Sequence, residues 1–266
     1  MTKRSANGTA FEWHGQRGAP VLVLIHGLGL TRDTWHGYIE ELSQNYRLLT
    51  YDLFGHGEST QPPRKPDLSL YAQQLCELLD EVGVVTAVLV GFSLGGMINR
   101  RFAMDHPDRC DALVILNSPH ERSAQAQQLV EQRAADTSAG GPAATLDATI
   151  DRWFTADFIR ERQDVIQNIR GWVLANNPQT YAECRQVLAH GVIELIRPQP
   201  PVTVPTLVMT CEHDSGSTPA MTQAIAREIS GAQSVIVPHL QHMGLVEQPQ
   251  QFIQHLLPFL ATLCEH

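Results

Sequence analysis

Basic residues are in the minority in this chain and are nowhere grouped. The 266 residues include 19 Lys and Arg against 28 Asp and Glu, which gives a formal net charge of −9. Proteins that bind nucleic acid neutralise phosphates with clustered Lys and Arg, so this charge balance argues against such a partner. An acidic surface favours solubility and identifies no ligand by itself.

Cysteine is scarce as well. The five thiols are widely spaced and form no CxxC pair: Cys76, Cys110, Cys184, Cys211 and Cys264. This pattern argues against a disulfide framework and against a zinc site built on paired thiols. The sequence also lacks the HExxH motif of many zinc hydrolases. We therefore expect reduced cysteines, no metal and no cofactor.

Long apolar runs are missing too. The opening segment, MTKRSANGTAFEWHG, has no apolar centre of the kind that a signal peptide needs. The first apolar stretch, Val21 to Ile25, is far shorter than the about 20 residues of a membrane-spanning helix. We expect a cytoplasmic protein without a membrane partner.

Short apolar runs instead alternate with helical patterns, and this alternation predicts an α/β fold whose mostly parallel sheet has helices on both faces. The predicted strands are Thr9–Trp13 at an edge, Val21–Ile25, Tyr46–Tyr51, Thr86–Val90, Asp111–Leu116, Thr206–Cys211 and Ser234–Val237. The predicted helices between and after them are Thr31–Gln44, Leu68–Val82, Leu94–Asp105, Ser217–Ile229 and Gln250–Leu263.

Residues 120–200 interrupt the alternation, because they contain helical patterns and no convincing strand. The predicted helices are Arg122–Asp136, Thr145–Trp153, Asp157–Asn176 and Gln179–Ala189, with a flexible turn at Ser138–Pro142. The proline-rich segment Arg197–Pro205 then leads back to the strand pattern. We predict one core domain, residues 1–119 and 201–266, and a helical cap, residues 120–200, inserted after the sixth strand.

The strongest chemical signal is a G-x-S-x-G motif, Gly91 to Gly95 (GFSLG), placed between a predicted strand and a predicted helix. In this context the motif is typical of a nucleophile elbow, a sharp turn that presents the hydroxyl of Ser93. The helix that follows places amide donors and positive potential beneath an oxyanion. Serine at the elbow, rather than aspartate, disfavours haloalkane and epoxide chemistry.

A second glycine-rich turn, His26 to Gly29 (HGLG), ends the first buried strand. The amide N–H groups of Leu28 and Leu94 are the expected oxyanion donors. For the imidazole of His26 we expect a structural role.

Ser93 requires a base, and the base requires an acid that holds its tautomer. In a chain order of nucleophile, acid and histidine, the candidate histidines are His213, His239, His242, His255 and His266. His242 and its competitor His239 follow the last predicted strand. Glu212 and Asp214 follow the preceding one, and both qualify as the acid.

Together these segments resemble the α/β-hydrolase superfamily, in particular the branch that includes 3-oxoadipate enol-lactonases and carboxylesterases. Tyr51–Ser59 (YDLFGHGES) is similar to the D-x-x-G-x-G-x-S loop of that branch, and Gly91–Gly96 (GFSLGG) is similar to its elbow. Gln241–Pro249 (QHMGLVEQP) resembles its G-H-x-x-x-x-E-x-P ending, with Gln241 where glycine is usual. Trp153-Phe154-Thr155 resembles a cap segment.

The resemblance covers nearly the whole chain and implies a triad of Ser93, Asp214 and His242. The implied reaction is hydrolysis of an ester, lactone or thioester of a small molecule, with activity rising through roughly pH 6–7 as the histidine loses its proton. Cleavage of a carbon–carbon bond, amide or aminoacrylate hydrolysis and perhydrolysis are alternatives on the same triad. A ligand receptor is the alternative outside enzymes.

Substrate-binding candidates are aromatic residues near the elbow and in the cap, although such residues also anchor cap helices to a core. They are Phe92, Trp153, Phe154 and Trp172, with Tyr181 as a further candidate. Six arginines of the cap and its return are further candidates, among which we expect one carboxylate anchor and a majority of solvated side chains. These are Arg152, Arg160, Arg162, Arg170, Arg185 and Arg197.

Overall fold

A computed structural model describes residues 1–263, so Cys264, His266 and the last three residues of the expected core lie outside the described residues. Within residues 1–263 the eight strands are β1 (Lys3–Arg4), β2 (Ala10–His14), β3 (Val21–Ile25), β4 (Arg47–Tyr51), β5 (Ala87–Phe92), β6 (Cys110–Leu116), β7 (Thr206–Cys211) and β8 (Gln233–Val237). The eleven α-helices of the same residues are α1 (His36–Leu42), α2 (Leu68–Glu81), α3 (Leu94–Asp105), α4 (Ala124–Gly140), α5 (Leu146–Trp153), α6 (Ala156–Glu161), α7 (Gln163–Ala175), α8 (Pro178–His190), α9 (Pro219–Glu228), α10 (Gly244–Glu247) and α11 (Pro249–Leu263).

The strands form a single sheet in the order β1-β2-β4-β3-β5-β6-β7-β8. The pairs β1–β2 and β2–β4 are antiparallel, and every pair from β4–β3 to β7–β8 is parallel. The predicted edge strand is β2, but it is not at the edge, because β1 pairs outside it. The two residues of β1, Lys3 and Arg4, are charged and exposed, so they carry no apolar signal.

Helices cover the sheet on both faces. Every residue of β5 and of β7 is buried. Because successive side chains of a strand point to opposite faces, complete burial requires a covering layer on each side. Helix α2 packs against α3, and α1 packs against α11. This arrangement confirms the predicted α/β fold.

Helices α4 to α8 lie between β6 and β7, after the sixth strand as predicted, because the five strands predicted before residue 120 are joined by β1. The prediction of a flexible turn at Ser138–Pro142 is wrong for residues 138–140, which continue α4. The Ser138 hydroxyl donates to the carbonyl of Ala134 one turn earlier, at 2.9 Å, and the helix ends only at Gly141, where φ is +70°. The predicted helix Asp157–Asn176 is two helices, α6 and α7, separated at Arg162.

The parallel strands bring their following loops to one edge of the sheet. Strands β5, β6, β7 and β8 end at residues 92, 116, 211 and 237 and are neighbours in the sheet. Loops at the carboxyl ends of parallel strands are the usual place for a ligand site. Among residues 1–263, no helix combines the length and the apolarity that crossing a bilayer requires. The described cysteines, Cys76, Cys110, Cys184 and Cys211, are buried free thiols.

Candidate active site

Ser93 lies in a strained turn between β5 and α3. Its backbone has φ 55° and ψ −110°, a region that residues other than glycine rarely adopt. Glycines on both sides make the turn possible, because a Cβ on Gly91 would lie 2.2 Å from the carbonyl oxygen of Gly95. A Cβ on Gly95 would lie 2.2 Å from the carbonyl oxygen of Ile25. The sequence motif is therefore a requirement for close backbone approach.

The imidazole of His242 is the titratable group beside Ser93. The Ser93 hydroxyl is 3.2 Å from Nε2 of His242, and the two residues are 7% and 8% exposed. The histidine lies in the loop after β8, and the next amide, of Met243, donates to the carbonyl of Trp153 at 2.8 Å. The rings of Phe92 and Trp153 have centroids 5.0 and 6.0 Å from that of His242. These contacts hold the imidazole against the elbow.

The carboxylate of Asp214 forms a hydrogen bond with the other nitrogen of the His242 ring. Its Oδ2 lies 2.6 Å from Nδ1 of His242 and also accepts from the Asn117 amide at 2.9 Å, and its Oδ1 accepts from the backbone of Gly216 and Ser217. Burial alone would raise the pKa of Asp214, but the His242 ring and these donors outweigh it and lower that pKa below its ordinary value.

An ionised carboxylate only accepts, so this network assigns the proton to Nδ1 of His242 and leaves Nε2 free to accept from Ser93. Asn117 has no counterpart in the sequence prediction. Its position, directly after the buried strand β6, is the available signal.

The competing residues lie elsewhere. His239 is exposed, and its Nδ1 is 3.7 Å from Glu212 rather than near Ser93. Glu212, His213 and His239 place possible metal-ligating atoms within 4.8 Å of one another, the one such group of three in residues 1–263. All three are exposed, and none lines the cavity at Ser93. His255 lies on α11, with Nε2 3.5 Å from Gln254.

Two backbone amides near Ser93 have no acceptor among the described residues. They belong to Leu28 and Leu94, the expected oxyanion donors, and both residues are buried. The turn that carries Leu28 lies close to the elbow, because a Cβ on Gly27 would be 3.3 Å from that of Ser93. Buried N–H groups without an acceptor are rare in proteins. These two are therefore suited to donate to a bound ligand.

The imidazole of His26 braces the same turn. Its Nε2 accepts from the backbone N–H of Leu53 at 3.0 Å, so its Nδ1 donates to the carbonyl of Gly27 at 2.8 Å. Burial lowers the pKa of His26 to about 4, so the ring is neutral near pH 7. These bonds are those of a structural histidine.

The loop Tyr51–Ser59 is folded around the carboxylate of Asp52. Asp52 accepts from the backbone of Arg32 at 2.8 Å and of Glu58 at 2.9 Å, and it forms a buried ion pair with the Arg32 guanidinium. Gly57 has φ +51°, and a Cβ there would lie 2.4 Å from Asp52. The motif therefore supports the site without reaching Ser93.

A cavity that is partly open to solvent lies above Ser93. Its apolar lining comes from core and inserted helices alike: Leu28, Leu30, Phe92, Val130, Trp153 and Leu188. Phe92 and Trp153 thus stand where the sequence predicts substrate-binding residues.

Phe154, Trp172 and Tyr181 do not line this cavity. Phe154 is fully buried, and its ring stacks on Phe158 with centroids 5.4 Å apart. Trp172 packs against the hydrophobic core from α7. The expectation that Phe154 and Trp172 face the substrate is therefore wrong, because both rings fill space between elements, as helix anchors do.

Four arginines also line the cavity: Arg122, Arg133, Arg152 and Arg185. Two of them, Arg152 and Arg185, were among the six candidates from the sequence. The other four candidates are paired with acids: Arg160, Arg162, Arg170 and Arg197. Arg122 and Arg133 were not among those candidates, although their place in the predicted cap helix Arg122–Asp136 was the available signal.

Comparison with known proteins finds relatives that match this chain over most of its length. A family model described as alpha/beta hydrolase fold matches residues 20–249. The (E)-2-((N-methylformamido)methylene)succinate hydrolase of Acinetobacter baylyi is 26% identical over 258 residues, covering 97% of this chain and 96% of that protein. The 3-oxoadipate enol-lactonase 2 of the same species is 28% identical over 240 residues, covering 90% and 87%. Among solved structures, the enol-lactonase from Burkholderia xenovorans LB400 matches with a TM-score of 0.87 and 28% identity, over 96% of this chain and 98% of that chain.

Proposed function

The chain belongs to the α/β hydrolase family, and we propose that it is a serine hydrolase in which Ser93 attacks the acyl carbon of a small-molecule substrate. The observation that carries the proposal is the relay of hydrogen bonds from Ser93 through His242 to Asp214, at 3.2 and 2.6 Å. A serine hydroxyl is a weak nucleophile near neutral pH, and a base at this position activates it. The buried carboxylate fixes the tautomer that leaves Nε2 free.

In the proposed reaction, the Ser93 oxygen bonds to the carbonyl carbon while His242 takes the hydroxyl proton. The oxyanion accepts hydrogen bonds from the amides of Leu28 and Leu94. The tetrahedral intermediate then expels the leaving group, which receives the proton from His242. A water molecule repeats both steps, with His242 again the base, and releases the acid and free Ser93.

The bond cleaved is an ester, lactone or thioester in this proposal. A relative whose name describes an enol-lactonase, 28% identical over 90% of this chain, supports that choice. Amide hydrolysis is a second candidate, favoured by the likeness to a hydrolase of an N-methylformamido compound over 97% of this chain. Carbon–carbon cleavage uses the same triad but is favoured by neither name.

We also propose that residues 120–200 act as a cap that closes the site to large substrates. Supporting this, the cavity is lined both by Gly27 and Ser93 of the core and by Trp153 and Leu188 of the inserted helices. Thr155 donates two 2.8 Å hydrogen bonds to the carboxylate of Glu247, the last residue of helix α10, which follows His242. We propose, finally, that the protein functions in the cytoplasm. The buried free thiols support this, because cysteines stay reduced in that compartment.

The test is the hydrolysis of p-nitrophenyl acetate and butyrate by the wild type and by Ser93→Ala. We expect kcat/KM to fall about 10⁴-fold or more in Ser93→Ala and to stay unchanged in Ser138→Ala, whose hydroxyl only bonds within its helix. Wild-type rates no higher than those of Ser93→Ala, on these esters and on a lactone, a thioester and an amide, would instead indicate a ligand receptor.

A further inference from the structure

Three guanidinium groups of the cavity have no acidic partner. Arg133, Arg152 and Arg185 come from three different helices, α4, α5 and α8. Among the described residues, the guanidinium groups of Arg133 and Arg152 make no hydrogen bond or ion pair, and that of Arg185 makes one hydrogen bond, 3.4 Å long, to the hydroxyl of Thr145. Each is therefore a cation with unused donors.

These charges are partly or fully removed from water. Arg185 is 5% exposed, and Arg133 and Arg152 are half-buried. Burial, with repulsion from Arg133 and Arg185, lowers the pKa of Arg152 to about 10, so the group keeps its charge at pH 7. Within residues 1–263, Asp214 is the one carboxylate that lines the cavity, and it already binds His242. The cavity is thus strongly positive in a chain of formal net charge −9.

Arginines with a structural role in the same protein donate several hydrogen bonds through their guanidinium groups. The buried Arg100 donates to the carbonyls of Gly96 and Pro119 and to the hydroxyl of Ser118. Arg122, at the cavity wall, donates to the carbonyls of Leu188 and Ala189. Since buried like charges without partners cost stability, their retention beside a reacting serine indicates a bound anion.

We propose that the cavity selects substrates that carry two carboxylate groups, held by Arg133, Arg152 and Arg185, beside the acyl bond that Ser93 attacks. A guanidinium binds a carboxylate through two parallel N–H donors, and one carboxylate has room for two such partners. A single carboxylate therefore leaves one of the three cations unmatched, whereas a dianion engages all three. This substrate class rests on the proposed function, because it assumes that the bound acid is presented to Ser93.

Binding to Ser93→Ala tests the proposal without requiring catalysis. The probes are succinate, glutarate and adipate, each compared by calorimetry with its monomethyl and dimethyl ester. We expect, for at least one chain length, the dianion to bind about tenfold more tightly than its monomethyl ester, since a charge-assisted pair outweighs a neutral contact. The dimethyl ester should bind more weakly still. Equal affinity for a diacid and its monomethyl ester, at every length, would overturn the claim of two carboxylates.

Variants locate the binding groups. In the Ser93→Ala background, Arg152→Gln and Arg185→Gln should each weaken binding of the dianion about tenfold or more. The matched control is Arg162→Gln, an arginine of the same segment that is exposed and paired with Asp164, and it should leave the affinity unchanged. If Arg152→Gln or Arg185→Gln fails to fold, Arg133→Gln replaces it and should weaken dianion binding in the same way. Unchanged affinity in all the folded cavity variants would overturn the proposal.

The two proposals fail separately. Tight dianion binding together with wild-type ester hydrolysis no faster than that of Ser93→Ala would refute serine catalysis and leave the anion site in place. Ser93-dependent hydrolysis with no preference for dianions would do the reverse.

Discussion

Nδ1 of His242 lies 2.6 Å from Oδ2 of Asp214, a residue that is 3% exposed. The same oxygen accepts from Asn117, and the other accepts from the backbone of Gly216 and Ser217. Because all these partners donate, they favour the ionised carboxylate and hold it in one orientation. The position of the imidazole therefore depends on Asp214.

Asp214→Asn should lower kcat about 10³- to 10⁴-fold on p-nitrophenyl butyrate. The amide can donate to Nδ1, which moves the ring proton to Nε2 and leaves no acceptor for Ser93. Steady-state kinetics measure the effect, with the exposed Asp151→Asn as control. A loss of less than tenfold in Asp214→Asn would exclude Asp214 as the acid of the triad.

Gly95→Ala should destabilise the protein by about 3 kcal/mol or more, because the new Cβ meets backbone that cannot move aside. The distance to the carbonyl oxygen of Ile25 would be 2.2 Å. Gly171→Ala is the matched change, since Gly171 is an exposed position of α7 with open space around its Cβ. It should stabilise the protein by about 0.5–1 kcal/mol. Urea unfolding of both variants checks the pair, and similar effects would contradict it.

The stability of the fold should fall on acidification between pH 6.5 and about 4, in part because of His26. Its pKa is lowered from 6.5 to about 4 in the folded state by burial, so the unfolded chain binds a proton that the folded chain does not. Stability from this residue is complete above pH 6.5 and is lost as the pH falls toward the folded-state pKa, by on the order of 2 kcal/mol at pH 5.

Urea unfolding at pH 7.5 and pH 5 measures this loss. His26→Gln should reduce the difference between the two pH values, and the exposed His36→Gln should not. If His26→Gln keeps the whole wild-type difference, the buried neutral imidazole is not its source. The buried His56, whose pKa burial lowers to about 3, adds a similar contribution in both variants.

Arg152→Gln should raise Tm by about 2–4 °C, which corresponds to about 1 kcal/mol of added stability. The substitution removes a half-buried charge that has no acidic partner among the described residues and that Arg133 and Arg185 repel. Arg162→Gln loses an exposed ion pair with Asp164 and a long cation–π contact with Phe158, and it should change Tm by less than about 1 °C. Differential scanning calorimetry without added anions checks both, and a lower Tm in Arg152→Gln would mark the arginine as structural.

The periodic parts of the fold were predictable from the sequence. Helix α3 and strand β7 have the predicted bounds, Leu94–Asp105 and Thr206–Cys211, because an apolar run between clear stop signals is a strong local pattern. The break between α6 and α7 depends on the backbone of one residue, Arg162. The continuation of α4 through Ser138 involves a side-chain hydrogen bond. Neither can be predicted from apolar periodicity.

The site was predictable where a motif states a backbone requirement, as around Ser93, or where a family ending marks His242. It was less predictable in the inserted helices. Trp153 faces the cavity and Phe154, the next residue, packs in the core, and nothing in their order distinguishes them. Arg133, Arg152 and Arg185 line one cavity only because three helices converge there. That convergence depends on tertiary packing and not on local sequence.

The central claim is that Ser93 is an activated nucleophile, and the most direct measurement is covalent labelling by a serine-directed fluorophosphonate followed by peptide mass mapping. The account predicts one adduct on the wild type, located on Ser93, and none on Ser93→Ala. A folded wild type that remains unlabelled, or an adduct that persists in Ser93→Ala, would contradict it.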